Sequence, residues 1–258
     1  MRILGVLPAR MAATRFPNKP MALIQGMPMI GHCYFRSKMC AELDEVYVAT
    51  CDAEIKDYIE SVGGKAVMTS DVHERATERS AEAMLNIERE TNCEPFDLVV
   101  MIQGDEPLID PEMIRESIVP ITEGGAVVSN LMAYLDTQED RDNPNHVKVA
   151  LDLQRNALYF SREPIPSSKK FSGSIDAFRQ LGLIAFTRES LLKFVALQTT
   201  PLEIIESVDM NRLIENRIPI KMTATSFKAD SVDTLEDLKR VELKMREDAL
   251  AKIYNKKV

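Results

Sequence analysis

Apolar and polar positions along this chain follow two alternating rhythms. "RILGVLP" near the start holds an unbroken apolar run of strand length after its arginine, as in a strand covered on both faces. "PMIGHCYFRSKMCAE" follows, with apolar residues at helical spacing and a proline near its start, which predicts a helix. "EVYVAT" reads as a strand, and "DAEIKDYIESVGG" as a helix ended by a glycine pair. "KAVMT" is a short strand, "RATERSAEAMLNIERE" a helix and "DLVVMIQ" the next strand. "DPEMIRESIVPITE" is then a helix with Pro111 in its first turn. Strands alternating with helices predict an α/β fold built on a doubly wound, mostly parallel sheet. In such sheets ligands bind at the carboxyl ends of the strands.

The rhythm changes over residues 125–190. Strand-like pieces "AVVSNLMAYL", "HVKVALD", "ALYFSR" and "LGLIAFT" surround the polar, poorly patterned stretch "EPIPSSKKFSGSIDAFRQ". This predicts an antiparallel subdomain with a flexible loop, inserted into a single domain of residues 1–258. Helices return in "RESLLKFVALQ" and "LEIIESVDMNRLIEN", "IPIKMTA" reads as one more strand, and "TLEDLKRVELKMREDALAKIYNKKV" as one long amphipathic helix. The closing "NKKV" reads as a solvated cationic helix end that suits the dipole.

Composition narrows the function. With 258 residues the chain can bury a full core without staples. No apolar run approaches the ~18 residues of a membrane span, and the start goes straight into a strand pattern, so a cytoplasmic protein is expected. Four cysteines without CxxC spacing and only three histidines argue against a zinc site or a disulfide framework. A net charge of −8 argues against general binding to nucleic acid or anionic membranes.

Against that acidic background "LPARMAATRFPNKPM" (7–21) stands out. It carries Arg10, Arg15 and Lys19 with no carboxylate, immediately after the first strand. It matches neither GxxxxGK[ST] nor GxGxxG. Such a loop either holds a triphosphate through charge and backbone amides or is a surface turn with three solvated cations. A second candidate is "MIQGDEPLI" (101–109), in which Asp105 and Glu106 follow a strand end. Adjacent carboxylates there suit a magnesium ion, although Gly-Asp-Glu-Pro is also good turn chemistry. A third is "SVDTLEDL" (231–238), where Thr234 and Asp237 read as a helix cap and its partner. Asp233 is not needed for that cap, so it is either a second metal ligand or a charge favoured by the helix start. Met21, Met27 and Met29 read as core filler, and His32 as a packed, satisfied histidine.

Taken in register, these segments resemble the nucleotide-sugar cytidylyltransferases, most closely the 3-deoxy-manno-octulosonate (KDO) cytidylyltransferase family. The likeness runs almost end to end: "PARMAATRFPNKPM", "GMPMIGH", "YVATCD", "VMTSDVHERATER", "IQGDEPLI", "NPNHVKVALD", "ALYFSREPIP", "TPLEIIES" and "VDTLEDL". It implies transfer of CMP from CTP to the anomeric hydroxyl of KDO or a KDO-like acidic sugar, releasing pyrophosphate, for lipopolysaccharide or capsule biosynthesis. It further implies magnesium held by Asp105 and Asp233, and a homodimer.

By the same resemblance, Pro8, Ala9, Arg10, Arg15, Lys19, Thr77, Arg79 and Gln103 serve the nucleotide, with Glu78 between Thr77 and Arg79. Arg10, Lys19 and Asp105 are the catalytic set. Gln103, Arg162, Gln180, Asp209 and Met210 serve the acceptor. Some positions depart from the family's usual pattern. Arg75 and Ala76 stand where Ser-Gly is usual, Gln180 where a histidine is usual, and Asp209-Met210 where Glu-Gln is usual. Asn18 replaces a glycine in the opening loop, a mild change because asparagine tolerates left-handed backbone. An acceptor other than KDO, such as an amino-substituted octulosonate, another acidic sugar or a phosphonate, stays open on these grounds.

Overall fold

The computed structural model of the chain describes residues 1–12, 16–170, 172–173, 175–228 and 230–254. It divides into two compact units, Met1–Arg115 with Ala229–Val258, and Glu116–Lys228.

In the first unit β1 (Ile3–Ala9) leads to a 3-10 turn at Lys19–Met21 and a small hairpin, β2 (Leu23–Ile24) and β3 (Met27–Pro28). The periodicity of the sequence does not predict this hairpin. Gln25 (φ 49°) and Gly26 (φ 83°) form its turn, and two successive left-handed residues are what a tight two-residue hairpin needs. Then come α1 (Met29–Ser37), β4 (Glu45–Thr50), α2 (Ala53–Ser61), β5 (Ala66–Met68), α3 (Ala76–Thr91) and β6 (Leu98–Ile102). The strands pair in the order β5-β4-β1-β6, all parallel, with Leu4 opposite Glu45 and Val6 opposite Met101. Buried Leu4, Val6, Leu7, Val99, Val100 and Ile102 explain why these runs are apolar throughout: both faces of the sheet are covered. The α/β reading of the sequence holds.

α4 (Pro111–Thr122) carries the chain out of this unit. In the second unit β7 (Val128–Tyr134), α5 (Gln138–Asp142), β8 (Lys148–Leu151), β9 (Ala157–Ser161) and β10 (Phe178–Thr187) follow. β10 runs antiparallel to both β7 and β8, and β8 runs antiparallel to β9, so the expected antiparallel unit is present. The compact unit spans 116–228, whereas the pattern change in the sequence marks 125–190. The register of β10 on β7 shifts between Gln180 and Ile184. Buried Asn130 fills the irregularity: its amide donates to the carbonyls of Leu181 (2.8 Å) and Leu183 (3.0 Å).

After α6 (Arg188–Ala196) the single helix expected over 202–216 is two, α7 (Pro201–Glu206) and α8 (Met210–Glu215). Ser207 breaks it with a left-handed backbone (φ 53°). Fully buried Glu203 and nearly buried Arg212 join the two pieces by a two-pronged ion pair, 2.7 Å on each prong. Asn211 docks α8 on β9 through both the N–H and the carbonyl of Phe160. β11 (Lys221–Ala224) completes the unit beside β7.

The chain then returns to the first unit as α9 (Leu235–Met245) and α10 (Ala251–Tyr254). The long terminal helix expected from the sequence is therefore broken. Asp248 interrupts it, accepting from the backbone N–H of Ala251 (2.7 Å) while pairing with nearly buried Arg36. "NKKV" lies outside the described residues. Ile24, Met27, Met29, Val232, Val241, Met245, Ala251 and Tyr254 form one buried cluster, against which Phe16, Phe35, Met39, Leu108 and Leu238 pack. Met27 and Met29 are core as expected, while Met21 is half-buried. Among the described residues no helix is long and apolar enough to cross a membrane. All four cysteines are free.

Candidate active site

A cleft opens in the first unit at the carboxyl ends of β1 and β6. Pro8, Ala9, Arg10 and Lys19 line it from the opening loop, Gln103 and Asp105 from the segment after β6, and Asp233 from the segment before α9. Three stretches far apart in sequence thus meet where a parallel sheet presents its strand ends. The loop is tied down at both ends. The N–H of Met11 donates to the Asp52 carboxylate (2.8 Å), which follows β4, and the N–H of Asn18 donates to the Met11 carbonyl (3.2 Å). Asn18 takes the left-handed backbone anticipated for it (φ 58°). Arg15 lies outside the described residues. After β6 the chain turns at Gly104, where an added Cβ would come 3.1 Å from both the Pro8 carbonyl oxygen and Ile30 Cδ1, so glycine lets the two strand ends close up.

The centre of the cleft is an ion triad. Lys19 Nζ lies 2.6 Å from Asp105 Oδ2 and 3.3 Å from Asp233 Oδ1. Burial alone would lower the lysine's pKa, but Asp105 first and Asp233 second outweigh it and hold the ammonium above the usual lysine range. The backbone of both aspartates is held from behind. The N–H of Val232 donates to the Asp105 carbonyl (3.0 Å), and the N–H of Asp233 to Asp237 Oδ2 (3.1 Å). Thr234 and Asp237 form the capping box expected of them, which leaves the Asp233 carboxylate turned to Lys19.

Other candidates sit less directly. Thr77 is fully buried, its hydroxyl on Met101 Sδ (3.7 Å), and is not among the cleft-lining residues. Arg79 lines the cleft but is 3% exposed, and its guanidinium donates to the Thr69 hydroxyl, the Ser70 carbonyl (3.0 Å) and the His73 carbonyl (3.5 Å). It shapes the 69–73 loop. In the second unit Arg162 donates from Nε to the Glu206 carbonyl (2.8 Å) and from Nη1 to the Pro144 carbonyl (2.9 Å). Gln180 Nε2 donates to Asn130 Oδ1 (2.8 Å). Asp209 is half-buried at the start of α8, and Met210 is fully buried in the unit's core, with no surface to offer a ligand.

The profile of a family described as "Cytidylyltransferase" matches residues 4–249. The chain belongs to the cytidylyltransferase family. It is therefore an enzyme of the nucleotidyltransferase class. Among its relatives is a protein of Geobacter metallireducens named 3-deoxy-manno-octulosonate cytidylyltransferase, 37% identical over 95% of this chain and 98% of that one. A protein of Shewanella frigidimarina named 8-amino-3,8-dideoxy-manno-octulosonate cytidylyltransferase is 38% identical over 96% of this chain and 100% of that one. A solved structure described as CMP:2-keto-3-deoxy-manno-octonic acid synthetase complexed with CTP aligns with a TM-score of 0.87 at 31% identity. It covers 96% of this chain and 99% of that one.

The cytidylyltransferase cleft also has walls that sequence reasoning does not assign. His73, Glu74 and Arg75 line it. His73 Nε2 pairs with Glu82, which also accepts from the N–H of Ser70. Burial opposes ionisation of Glu82, yet the His73 and Ser70 bonds together hold it below the usual carboxylate range. Arg75, a departure from the family pattern, adds a cation to the cleft. In the second unit fully buried Lys148 also escapes a reading of the sequence, its ammonium donating to the carbonyls of Asn143 (2.9 Å) and Arg162. Glu206 accepts from the Tyr159 (2.6 Å) and Ser161 (2.8 Å) hydroxyls and from the Arg162 N–H (2.8 Å). No local pattern marks Lys148 or Glu206, because their partners are backbone groups and hydroxyls that the fold brings to them.

Proposed function

We propose that this cytidylyltransferase transfers CMP from CTP to the anomeric hydroxyl of KDO or a closely related ulosonic acid, releasing pyrophosphate. The observation that carries the reading is the convergence of Lys19, Asp105 and Asp233, with Arg10 beside them, at the strand ends of the cleft. The names of the relatives point the same way.

Among the described residues no group of three or more His, Cys, Asp or Glu side chains converges on a metal site. Two carboxylates nevertheless fit magnesium, which takes one or two protein carboxylates and completes its shell with water and substrate phosphates. Asp105 and Asp233 already share one cationic neighbour, so their oxygens address a common point. Magnesium held there would supply Lewis-acid polarisation of the phosphate and a lower pKa for the attacking hydroxyl.

The chain's own residues do the rest. Arg10 and Lys19 meet the triphosphate and neutralise charge on the leaving pyrophosphate. Gln103, on the β6 rim, contacts the base or the acceptor. Arg79 holds the 69–73 loop in the shape that bounds the nucleotide. Arg162, with two of its five donors committed to carbonyls, turns the remaining N–H groups to the sugar carboxylate. Catalysis is then mainly alignment of the hydroxyl with the α-phosphorus in a fixed field. The activated sugar would feed lipopolysaccharide or capsule assembly in the cytoplasm, and the family resemblance supports a homodimer.

A second acceptor is kept open by one specific finding. The relative named for the 8-amino sugar is 38% identical, within the 37–40% of relatives named for KDO, so identity alone does not separate the two acceptors. Pyrophosphate release measured with CTP, magnesium and each of KDO, 8-amino-KDO and a sialic acid tests the reading. Turnover with either octulosonate supports it; release with neither octulosonate refutes it.

A further inference from the structure

The position of Lys19 is unusual for a residue whose proposed task is to hold phosphates. Its ammonium lies 2.6 Å from Asp105 and 3.3 Å from Asp233, the two carboxylates assigned to magnesium. The backbones that carry the two carboxylates are held close together. Asp105 is tied to Val232 through its carbonyl, and Asp233 to Asp237 through its N–H. Two carboxylates brought this close favour a cation between them, and here it is a side chain.

We propose that Lys19 is a built-in counter-cation. Without nucleotide its ammonium occupies the space between Asp105 and Asp233 and keeps a divalent cation out. The triphosphate of incoming CTP draws the ammonium away and opens the pair when metal and nucleotide arrive together. The inference rests on reading the cleft as a CTP and magnesium site.

Charge and reach both support the device. The bare pair carries two negative charges and attracts a divalent ion strongly; with the ammonium in place, the ion meets one net charge and a cation a few ångströms away. Lysine suits the task because its charge rides on a four-carbon stem that can swing to a new partner without moving the backbone. Its backbone is anchored in the Lys19–Met21 turn, with the N–H of Met21 on the Asn18 carbonyl (2.9 Å). Among the described residues no third His, Cys, Asp or Glu completes the pair, so water and phosphate oxygens finish the metal's shell. A metal bound ahead of nucleotide would be held by two carboxylates and water alone, and Lys19 disfavours that state.

The test is a titration of the full chain with Mn2+ alone, followed by electron paramagnetic resonance, with neither nucleotide nor sugar present. Lys19→Met should bind Mn2+ about tenfold or more tightly than wild type, within the usual range of coupling between two sites. Lys19→Arg, which keeps the cation, should stay at the wild-type affinity. Adding Asp233→Asn to Lys19→Met should abolish the gain. Mn2+ should also raise the melting temperature of Lys19→Met more than that of wild type, which reports on the folded variant directly. Equal Mn2+ affinities in wild type and Lys19→Met overturn the proposal, as does a gain that survives Asp233→Asn. Failure of the cytidylyltransfer reading shows itself elsewhere, as no pyrophosphate release from CTP by wild type with either octulosonate.

Discussion

Replacing Tyr254 by phenylalanine should loosen the strap that carries Asp233. The buried chain of bonds around it fixes its own polarity. His32 Nε2 faces the Ile24 carbonyl at 2.8 Å, and a carbonyl only accepts, so Nε2 carries the proton. His32 Nδ1 is then the acceptor for the Tyr254 hydroxyl at 2.7 Å, and the hydroxyl oxygen accepts in turn from Arg36 Nε at 3.4 Å. Burial pushes the Tyr254 pKa up to about 12, so the hydroxyl stays a donor across any practical assay range. Tyr254→Phe keeps the ring stacked on Phe35 (5.7 Å between centroids) and edge-on to His32 (5.6 Å). What it removes is the short bond to His32, the long one from Arg36 and a weak contact with Met245 Sδ (3.8 Å). The short bond leaves fully buried His32 Nδ1 without a donor, a loss of ~1–3 kcal/mol. At roughly 2–4 °C per kcal/mol for a chain near this size, the melting temperature should fall by ~2–12 °C. Because Val232, next to Asp233, shares the cluster with Tyr254, the loss should be felt in the first unit's transition. The assay is thermal unfolding followed by circular dichroism in phosphate at pH 8. A change below about 1 °C would refute the donor-to-acceptor order running from Arg36 through Tyr254 to His32, since a hydroxyl already bonded elsewhere costs little to remove.

Three further expectations follow from the same geometry. Asp105→Asn should keep the circular dichroism spectrum and lower turnover on the order of 100-fold or more; a near wild-type rate at saturating magnesium would remove Asp105 from the metal site. Glu203→Gln should cost ~3–5 kcal/mol, because it leaves the Arg212 guanidinium charged in a site where Glu203 is 0% and Arg212 2% exposed; an unchanged urea midpoint would show the charge to be compensated elsewhere. Acidification from pH 7.5 to 5.5 should destabilise the fold. Burial first, and Arg36 among the charges, holds folded His32 below its ordinary 6.5, and burial followed by Arg179 does the same for His146. The unfolded chain therefore takes up more protons as pH drops through 6.5, and stability present above that pH is lost below it. Urea midpoints at the two pH values check the sign; a higher midpoint at pH 5.5 would contradict it.

The parts of this molecule that can be read from the chain are those in which one local period dominates. "RILGVLP" and "DLVVMIQ" are apolar throughout because β1 and β6 are covered on both faces, and the helical spacing of "RATERSAEAMLNIERE" survives intact as α3. The cation-rich loop and the two carboxylate segments are legible as chemistry, and the fold brings Lys19, Asp105 and Asp233 into contact. What stays hidden depends on partners far away in sequence. Nothing local says that Asp248 will leave a helical pattern to meet Arg36, 212 positions earlier. Nor does spacing reveal that Arg79 and Arg162 will commit donors to backbone carbonyls, a use of arginine that looks in sequence like any ligand-binding cation. Ser207 breaks the 202–216 pattern by taking a left-handed conformation that serine seldom prefers, held because Glu203 and Arg212 join the two pieces across the break.

The acceptor end of the reading turns on Gln180, and the hydrogen bonding behind it gives that residue a direction. Asn130 Nδ2 donates to the carbonyls of Leu181 and Leu183, so Asn130 must present its oxygen to Gln180. Gln180 answers with Nε2 at 2.8 Å, which sets its amide nitrogen toward Asn130 and its carbonyl oxygen away. A histidine in this place could donate to the same oxygen and still carry a positive charge outward. Glutamine offers an acceptor there and no charge at any ordinary pH. Met210, fully buried, restores no donor or acceptor. Were Gln180 to face the acceptor, the substitution would exchange a group that repels an ammonium when protonated for one that accepts from it, a change suited to an amino-bearing octulosonate. If that is its purpose, Gln180→His should lower kcat/KM for 8-amino-KDO more than for KDO, since an imidazolium repels the ammonium and not the hydroxyl that KDO carries in its place. Equal losses on the two sugars would show that Gln180 supports the irregular strand and takes no part in choosing the acceptor.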